Sequence, residues 1–303
     1  MVLSEIFLET TSRLQTTIAN EVSVSGIGYW SGLDVTVNFR PAESGTGVVF
    51  VRTDLNGRPE VPALIHNRVH SLRRTTLMYA GHKVERVEHI LSALVGLQID
   101  NCYVEVDQME MPGMDGSSIA FTRVLQSAGR IEQDQPRKQI VLDTPIRIEE
   151  KGAWVEALPT ANESFENVYV VDYPDCDAIG KQHTRYKLDR STYQQQIAPA
   201  RTFVLEHEAE LLKQQGLGKR ISYRDLLVFN KQGPIDNTLN FEDECARHKI
   251  LDMIGDLALT GYDIVGRVHG HKSGHRLNSQ LAYAILHQAF DCESLDNIIR
   301  YSA

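Results

Sequence analysis

Cysteine is scarce in this chain. Only Cys102, Cys176, Cys245 and Cys292 occur in 303 residues, and no two are spaced for a disulfide framework or a thiolate zinc site. That usage fits a reducing compartment. Long apolar runs are missing too. No stretch approaches the roughly 20 residues that cross a bilayer as a helix. The start, Met1-Val2-Leu3-Ser4-Glu5-Ile6-Phe7, has neither the basic residues nor the apolar core of a secretory leader. A cytoplasmic chain with no transmembrane segment is expected. Positive charge is also short: 31 Lys and Arg against 40 Asp and Glu leave a net −9. That argues against nucleic acid as a partner, since phosphate backbones require clustered cations, and against docking on an anionic membrane.

What remains is the composition of a soluble globular protein, 42% hydrophobic and 23% charged, long enough for two ordinary domains. After an N-terminal extension over 1–14, strand-like segments at 35–39 and 48–51 precede a helical pattern over 84–97, a strand at 102–106 and a second helix ending near Gly129. The polar, proline-containing stretch 132–138 predicts a linker between a first domain, 15–131, and a second, 139–303. Strands then follow at 139–148, 153–158 and 168–173, with helices over 206–215, 242–260 and 278–290 and a strand at 263–268 between the last two. The order strands, helix, strand, helix occurs twice, which predicts an α+β layered architecture.

The densest chemistry lies in Arg247-His248-Lys249-Ile250-Leu251-Asp252-Met253-Ile254-Gly255-Asp256. On a helix, His248 and Asp252 leave the same face one turn apart and can grip one cation. A nitrogen and an oxygen ligand suit Zn²⁺ or a similar divalent ion. Alone, such a pair is more often a helix-surface contact, so a third ligand is required. His89 is the best candidate. Glu88 precedes it at the head of an apolar helical stretch, and a glutamate beside a metal-binding histidine often serves as the base that activates water. In the loop Gly270 to Asn278, His275 follows Gly274 and has the chemistry of a proton donor, while Lys272 suits an anionic part of a substrate. The same loop also reads as an ordinary solvated turn. Asp256 is a metal ligand, a surface carboxylate or a partner of His275. The partner role is preferred, because it keeps the imidazole charged and sets its tautomer. Lys249 is a surface lysine or an anion contact, and Thr202 a cap or a hydroxyl that polarises a carbonyl. His66, His70, His82, His183, His207, His269, His271 and His287 receive no role.

These stretches become recognisable together. Arg86-Val87-Glu88-His89, Met114 to Ser117, Ala200-Arg201-Thr202-Phe203, Phe241 to Glu244, His248 to Asp252, Gly255-Asp256-Leu257 and Lys272-Ser273-Gly274-His275 occur in this order. Over about residues 15–289 the chain resembles the UDP-3-O-acyl-N-acetylglucosamine deacetylase family, zinc amidases that commit lipid A synthesis. The resemblance implies two similar α+β domains, each a small sheet layered against helices, with the active site at their junction. It implies His89, His248 and Asp252 as zinc ligands, with iron as the alternative ion. Glu88 is then the general base, Thr202 a stabiliser of the oxyanion, and His275, supported by Asp256, the proton donor. Lys249 and Lys272 match positions near polar parts of the substrate, a UDP-linked acylated amino sugar, and Phe203 one near the sugar or uracil. The resemblance further implies an insertion near 162–199 that shapes an acyl passage, with Tyr169, Val171, Ile179 and Ile197 as lining or as plain core. Relatives often carry glycine where this chain has Val204, and the turn Gly218-Lys219-Arg220-Ile221-Ser222 is bulkier and more basic. A monomer is expected. Two other readings stand beside this one: an amidohydrolase of the same fold acting on another acylated amino sugar, and a non-catalytic binder of a lipid precursor.

Overall fold

The computed structural model describes residues 8–290. The start Met1 to Phe7 and Cys292 lie outside them. In the first half, β1 (Leu8–Ile18) is followed by β2 (Val22–Ile27), β3 (Asp34–Pro41), β4 (Val48–Arg52) and β5 (Glu60–Pro62). Two short hairpin partners, β6 (Arg68–Val69) and β7 (Thr76–Tyr79), join β8 (His82–Glu85) in a three-stranded sheet. Helix α1 (Glu88–Gly96), β9 (Cys102–Val106) and α2 (Ile119–Ser127) complete this half. Its five-stranded sheet runs β2-β3-β9-β4-β5, with β9 parallel to β4 and antiparallel to β3. Alternation in β3 turns Val35, Val37 and Phe39 into the core.

The second half holds β10 (Arg130–Val141), β11 (Ile146–Glu150), β12 (Ala153–Leu158), β13 (Phe165–Tyr173), β14 (Gly180–Lys187) and a short helical piece, α3 (Arg190–Thr192). After it come β15 (Phe203–Leu205), α4 (Glu206–Gln214), β16 (Leu227–Phe229), α5 (Glu244–Leu257), β17 (Asp263–His271) and α6 (His275–Ala289). β17 is the hub of a seven-stranded sheet. It pairs in parallel with β10 and β13 and antiparallel with β12. Helices α5 and α6 cover that sheet, and α1 packs against α5. The layers therefore run sheet, helices, helices, sheet, an α+β arrangement in which α1 and α5 meet at the centre. No helix among the described residues is long and apolar enough to cross a membrane. Cys102, Cys176 and Cys245 are free and buried.

Several expectations need correction. The stretch 132–138 is not an irregular connection but the middle of β10, and residues 8–14 are not a loose extension but part of β1, its antiparallel neighbour. The ribbon buries little, so no apolar alternation announces it. Main-chain pairing and charge carry it instead, and Pro136 sits where the register shifts, a place that tolerates a missing N–H. The helix expected over 84–97 begins only at Glu88. Arg86 has φ +61°, in the left-handed region, which no helix passes through. The strand expected over 139–148 breaks before Pro145 into β10 and β11.

Close approach of α1 and α5 depends on Gly255. A Cβ there would lie 2.0 Å from the Glu88 carbonyl oxygen. Gly255→Ala is expected to force the helices apart at a cost of about 1–3 kcal/mol. It should also weaken metal retention, because the helices carry opposite sides of the site described next. Urea unfolding together with metal analysis checks both effects.

Candidate metal centre and active site

Two helices from different halves supply the candidate ligands. His248, Asp252 and Asp256 fall at successive turns on the buried face of α5, as their four-residue spacing dictates. Glu88 and His89 open α1, and both are buried. His89 Nε2 lies 3.5 Å and His248 Nε2 3.3 Å from the same oxygen, Oδ1 of Asp252. One ligand atom from each of the three residues falls within a single 4.8 Å cluster. Three ligands about 2.0–2.2 Å from a tetrahedral zinc stand roughly 3.3–3.5 Å from one another, so the spacing to Asp252 fits such an ion.

The surroundings fit it as well. His248 Nδ1 lies 3.1 Å from the Ala200 carbonyl oxygen, which takes the ring proton and leaves Nε2 a free lone pair. Burial holds the His248 pKa down to about 3 against the pull of Asp252, with His89 and Lys249 adding to the depression, so the ring stays neutral as a ligand must. Burial alone would raise the Asp252 carboxyl. His248, Lys249 and His275 outweigh it and hold the group well below its usual range. Its second oxygen accepts from Lys249 Nζ at 2.8 Å, leaving Oδ1 turned to the imidazoles. Burial opposes the Lys249 charge, but Asp252 and the nearby tyrosines raise its pKa overall.

Beside the triad stand Glu88 and His275. Glu88 Oε2 accepts the Thr75 backbone N–H at 3.0 Å, and Glu88 Oε1 lies 4.0 Å from His275 Nε2. His275 Nδ1 is 3.0 Å from Asp256 Oδ2. Burial and the α6 N-terminus both disfavour a charged imidazole there. Asp256 and Asp252 overcome the burial and raise the His275 pKa to about 9. Asp256, the expected partner of His275, lies within hydrogen-bond distance of its Nδ1. Asp256 is buried and also accepts from Thr75 Oγ1 at 2.5 Å and from Asn278 Nδ2 at 2.8 Å.

Thr202 immediately precedes β15 and Phe203 opens it. The Thr202 N–H donates to the Gly116 carbonyl at 2.8 Å, so the Met114–Ser117 loop is its seat. Arg201 is clamped by the fully buried Glu244 through its own N–H at 3.0 Å and its Nε at 2.8 Å. Two of the sequence stretches thus hold a third in place. The Phe203 ring stands edge-on to His248, with centroids 6.5 Å apart, and to Tyr173 at 5.7 Å. Lys272 is turned to Asp172, 3.0 Å away. Tyr169, Val171, Ile179 and Ile197 are buried in the common core. A cavity of about 140 Å³ opens instead beside Thr202 and Phe203, lined by Val204, Leu212, Leu217, Ile221, Leu226 and Val228 among others. Sequence reasoning assigned no role to Thr75, Asn278, Arg201 or Glu244. Only the opposite charges of Arg201 and Glu244 hinted at a pairing, and nothing local marked Thr75.

With this geometry in place, the sequence profile described as UDP-3-O-acyl N-acetylglycosamine deacetylase matches residues 15–287. The chain belongs to this family. Among its relatives, a UDP-3-O-acyl-N-acetylglucosamine deacetylase of Actinobacillus succinogenes is 40% identical over 280 residues, covering 90% of each chain. That of Syntrophotalea carbinolica is 36% identical over 282 residues, covering 93% of this chain and 90% of its own. One from Psychrobacter arcticus is 36% identical over 294 residues, covering 95% and 91%. The deacetylase family makes the chain an enzyme, a hydrolase, and the small sheets layered with helices are the α+β layout that the resemblance implied.

Proposed function

We propose that this chain hydrolyses the N-acetyl group of a UDP-linked 3-O-acyl-N-acetylglucosamine, releasing acetate and the free amine, with zinc as its resident ion. The observation that carries the reading is Glu88 and His275, 4.0 Å apart beside three candidate ligands whose atoms lie within 4.8 Å of one another. His89, His248 and Asp252 would hold the zinc ion, which would supply Lewis acidity and lower the pKa of a water at the site; Fe²⁺ suits the same nitrogen and oxygen ligands. Glu88, with Oε2 held by Thr75, keeps Oε1 free to take the proton of the attacking water. Thr202 donates its hydroxyl to the carbonyl oxygen as negative charge develops there. His275, with Nδ1 on Asp256, presents a protonated Nε2 to the departing amine. Lys249 keeps Asp252 turned to the ion and contributes positive charge toward polar parts of the substrate.

Phe203 offers a ring face for the sugar or uracil. Lys272, exposed enough to leave Asp172, meets the diphosphate. The cavity beside Val204 and Ile221 takes the acyl chain, in place of the four core residues expected over 162–199. Every side chain in this scheme comes from one chain, so a monomer suffices. The unpaired buried thiols support a cytoplasmic setting.

The purified protein should carry about one divalent ion and release acetate from the UDP-linked substrate faster than from the free amino sugar. The rate should fall as pH rises through about 9, where His275 loses the proton it must give. Comparable turnover on the free sugar, or turnover untouched by stripping the metal, would overturn the reading.

A further inference from the structure

Asp256 has its two oxygens shared among Thr75, Asn278 and His275, and Asn278 is itself fixed by Ser273 Oγ at 3.0 Å. Of these partners, only Thr75 belongs to the first half of the chain. Its backbone is tied to the head of α1 in both directions. Its N–H donates to Glu88 Oε2, and its carbonyl accepts from Arg86 N at 2.9 Å. Its hydroxyl then crosses to α5 and donates to Asp256 Oδ1. The neighbouring Thr76 is buried as well, yet its hydroxyl has no partner.

We propose that Thr75 is a positioning residue that couples the two proton-handling groups, its N–H setting the Glu88 carboxylate and its hydroxyl setting Asp256 and, through it, His275. The proposal rests on the roles given above to Glu88 and His275. A carboxylate held by an oriented donor sits at one rotamer, and the imidazole it orients is held with it. Without the hydroxyl, Asp256 keeps hydrogen-bond partners only from its own half, and the His275 ring faces the Glu88 carboxylate only across the 4.0 Å gap between them. The ligands His89, His248 and Asp252 do not touch the hydroxyl, so metal binding should not depend on it.

The test compares Thr75→Val, Thr75→Ala and Thr75→Ser with Thr76→Val in the metal-loaded enzyme, reading kcat, KM, metal per chain and the ¹⁵N signals of the His275 ring. Loss of the hydroxyl should lower kcat by about 10- to 100-fold with KM within about twofold, the scale of a slight misplacement of reacting groups. Metal content should stay unchanged, Thr75→Ser should recover most of the rate, and Thr76→Val should match the parent. If valine cannot be accommodated, alanine makes the same comparison. An unchanged kcat in the hydroxyl-less variants, or a serine variant as impaired as they are, would overturn the proposal. So would a loss expressed in metal content or KM. Should the parent itself release no acetate, the reaction assigned above fails. The ¹⁵N signals then decide the positioning role by themselves: a shift with Thr75→Val but not Thr76→Val upholds it, and no shift ends it.

Discussion

His248→Ala is expected to leave the protein with almost no bound metal and to cut acetate release by at least about 100-fold, more than the loss of an orienting partner alone. The ring is fully enclosed, donates Nδ1–H to the Ala200 carbonyl and turns Nε2 toward Asp252 Oδ1. Alanine removes one of three candidate ligands and leaves that carbonyl without its ring partner. The pH dependence has a definite sign. In the metal-free protein the folded His248 titrates near 3, below the ordinary histidine value of about 6.5. The unfolded chain therefore binds a proton that the folded chain refuses, and stability falls as pH drops from about 6.5 toward 3. Metal analysis and urea titrations across that window check both effects. A variant that still holds one ion per chain would remove His248 from the ligand set.

The second large effect separates chemistry from metal binding. Glu88→Gln should retain the ion yet lower kcat by about 100- to 10,000-fold, the range for losing a general base. Glutamine keeps the shape of the side chain and an oxygen that can accept the Thr75 N–H, so α1 stays on α5. What it lacks is an oxygen basic enough to take a proton from water. Single-turnover acetate release on metal-matched samples is the measurement, and parent-like turnover would show that another group accepts the proton. His248→Ala loses the ion and the rate together, whereas Glu88→Gln loses only the rate.

The helical stripe His248, Asp252, Asp256 was legible because helical period is a local property, and so were Glu88 and His89 as adjacent residues of one apolar helical stretch, though not that the helix starts at Glu88. The assignments for Thr202 and Phe203 came through the resemblance, and only the folded chain shows what holds them: a loop near residue 115 and a glutamate at 244. Strand β10 was missed because its pattern is polar. Its pairing with β1 and the contact of Arg137 with Asp263 join segments more than a hundred residues apart. Thr75 was invisible for the same reason, since its hydroxyl partner lies 181 residues away.

From its sequence alone, then, this protein had its family and the shared faces of its helices determined, both of which follow from covalent spacing and side-chain chemistry. The tertiary structure decided which groups meet. A glycine lets α1 touch α5 and brings His89 within reach of Asp252, a threonine joins Glu88 to Asp256, and β15, α4 and β16 wall the apolar cavity. Such contacts depend on how surfaces distant along the chain pack against each other, and no local pattern of residues encodes that.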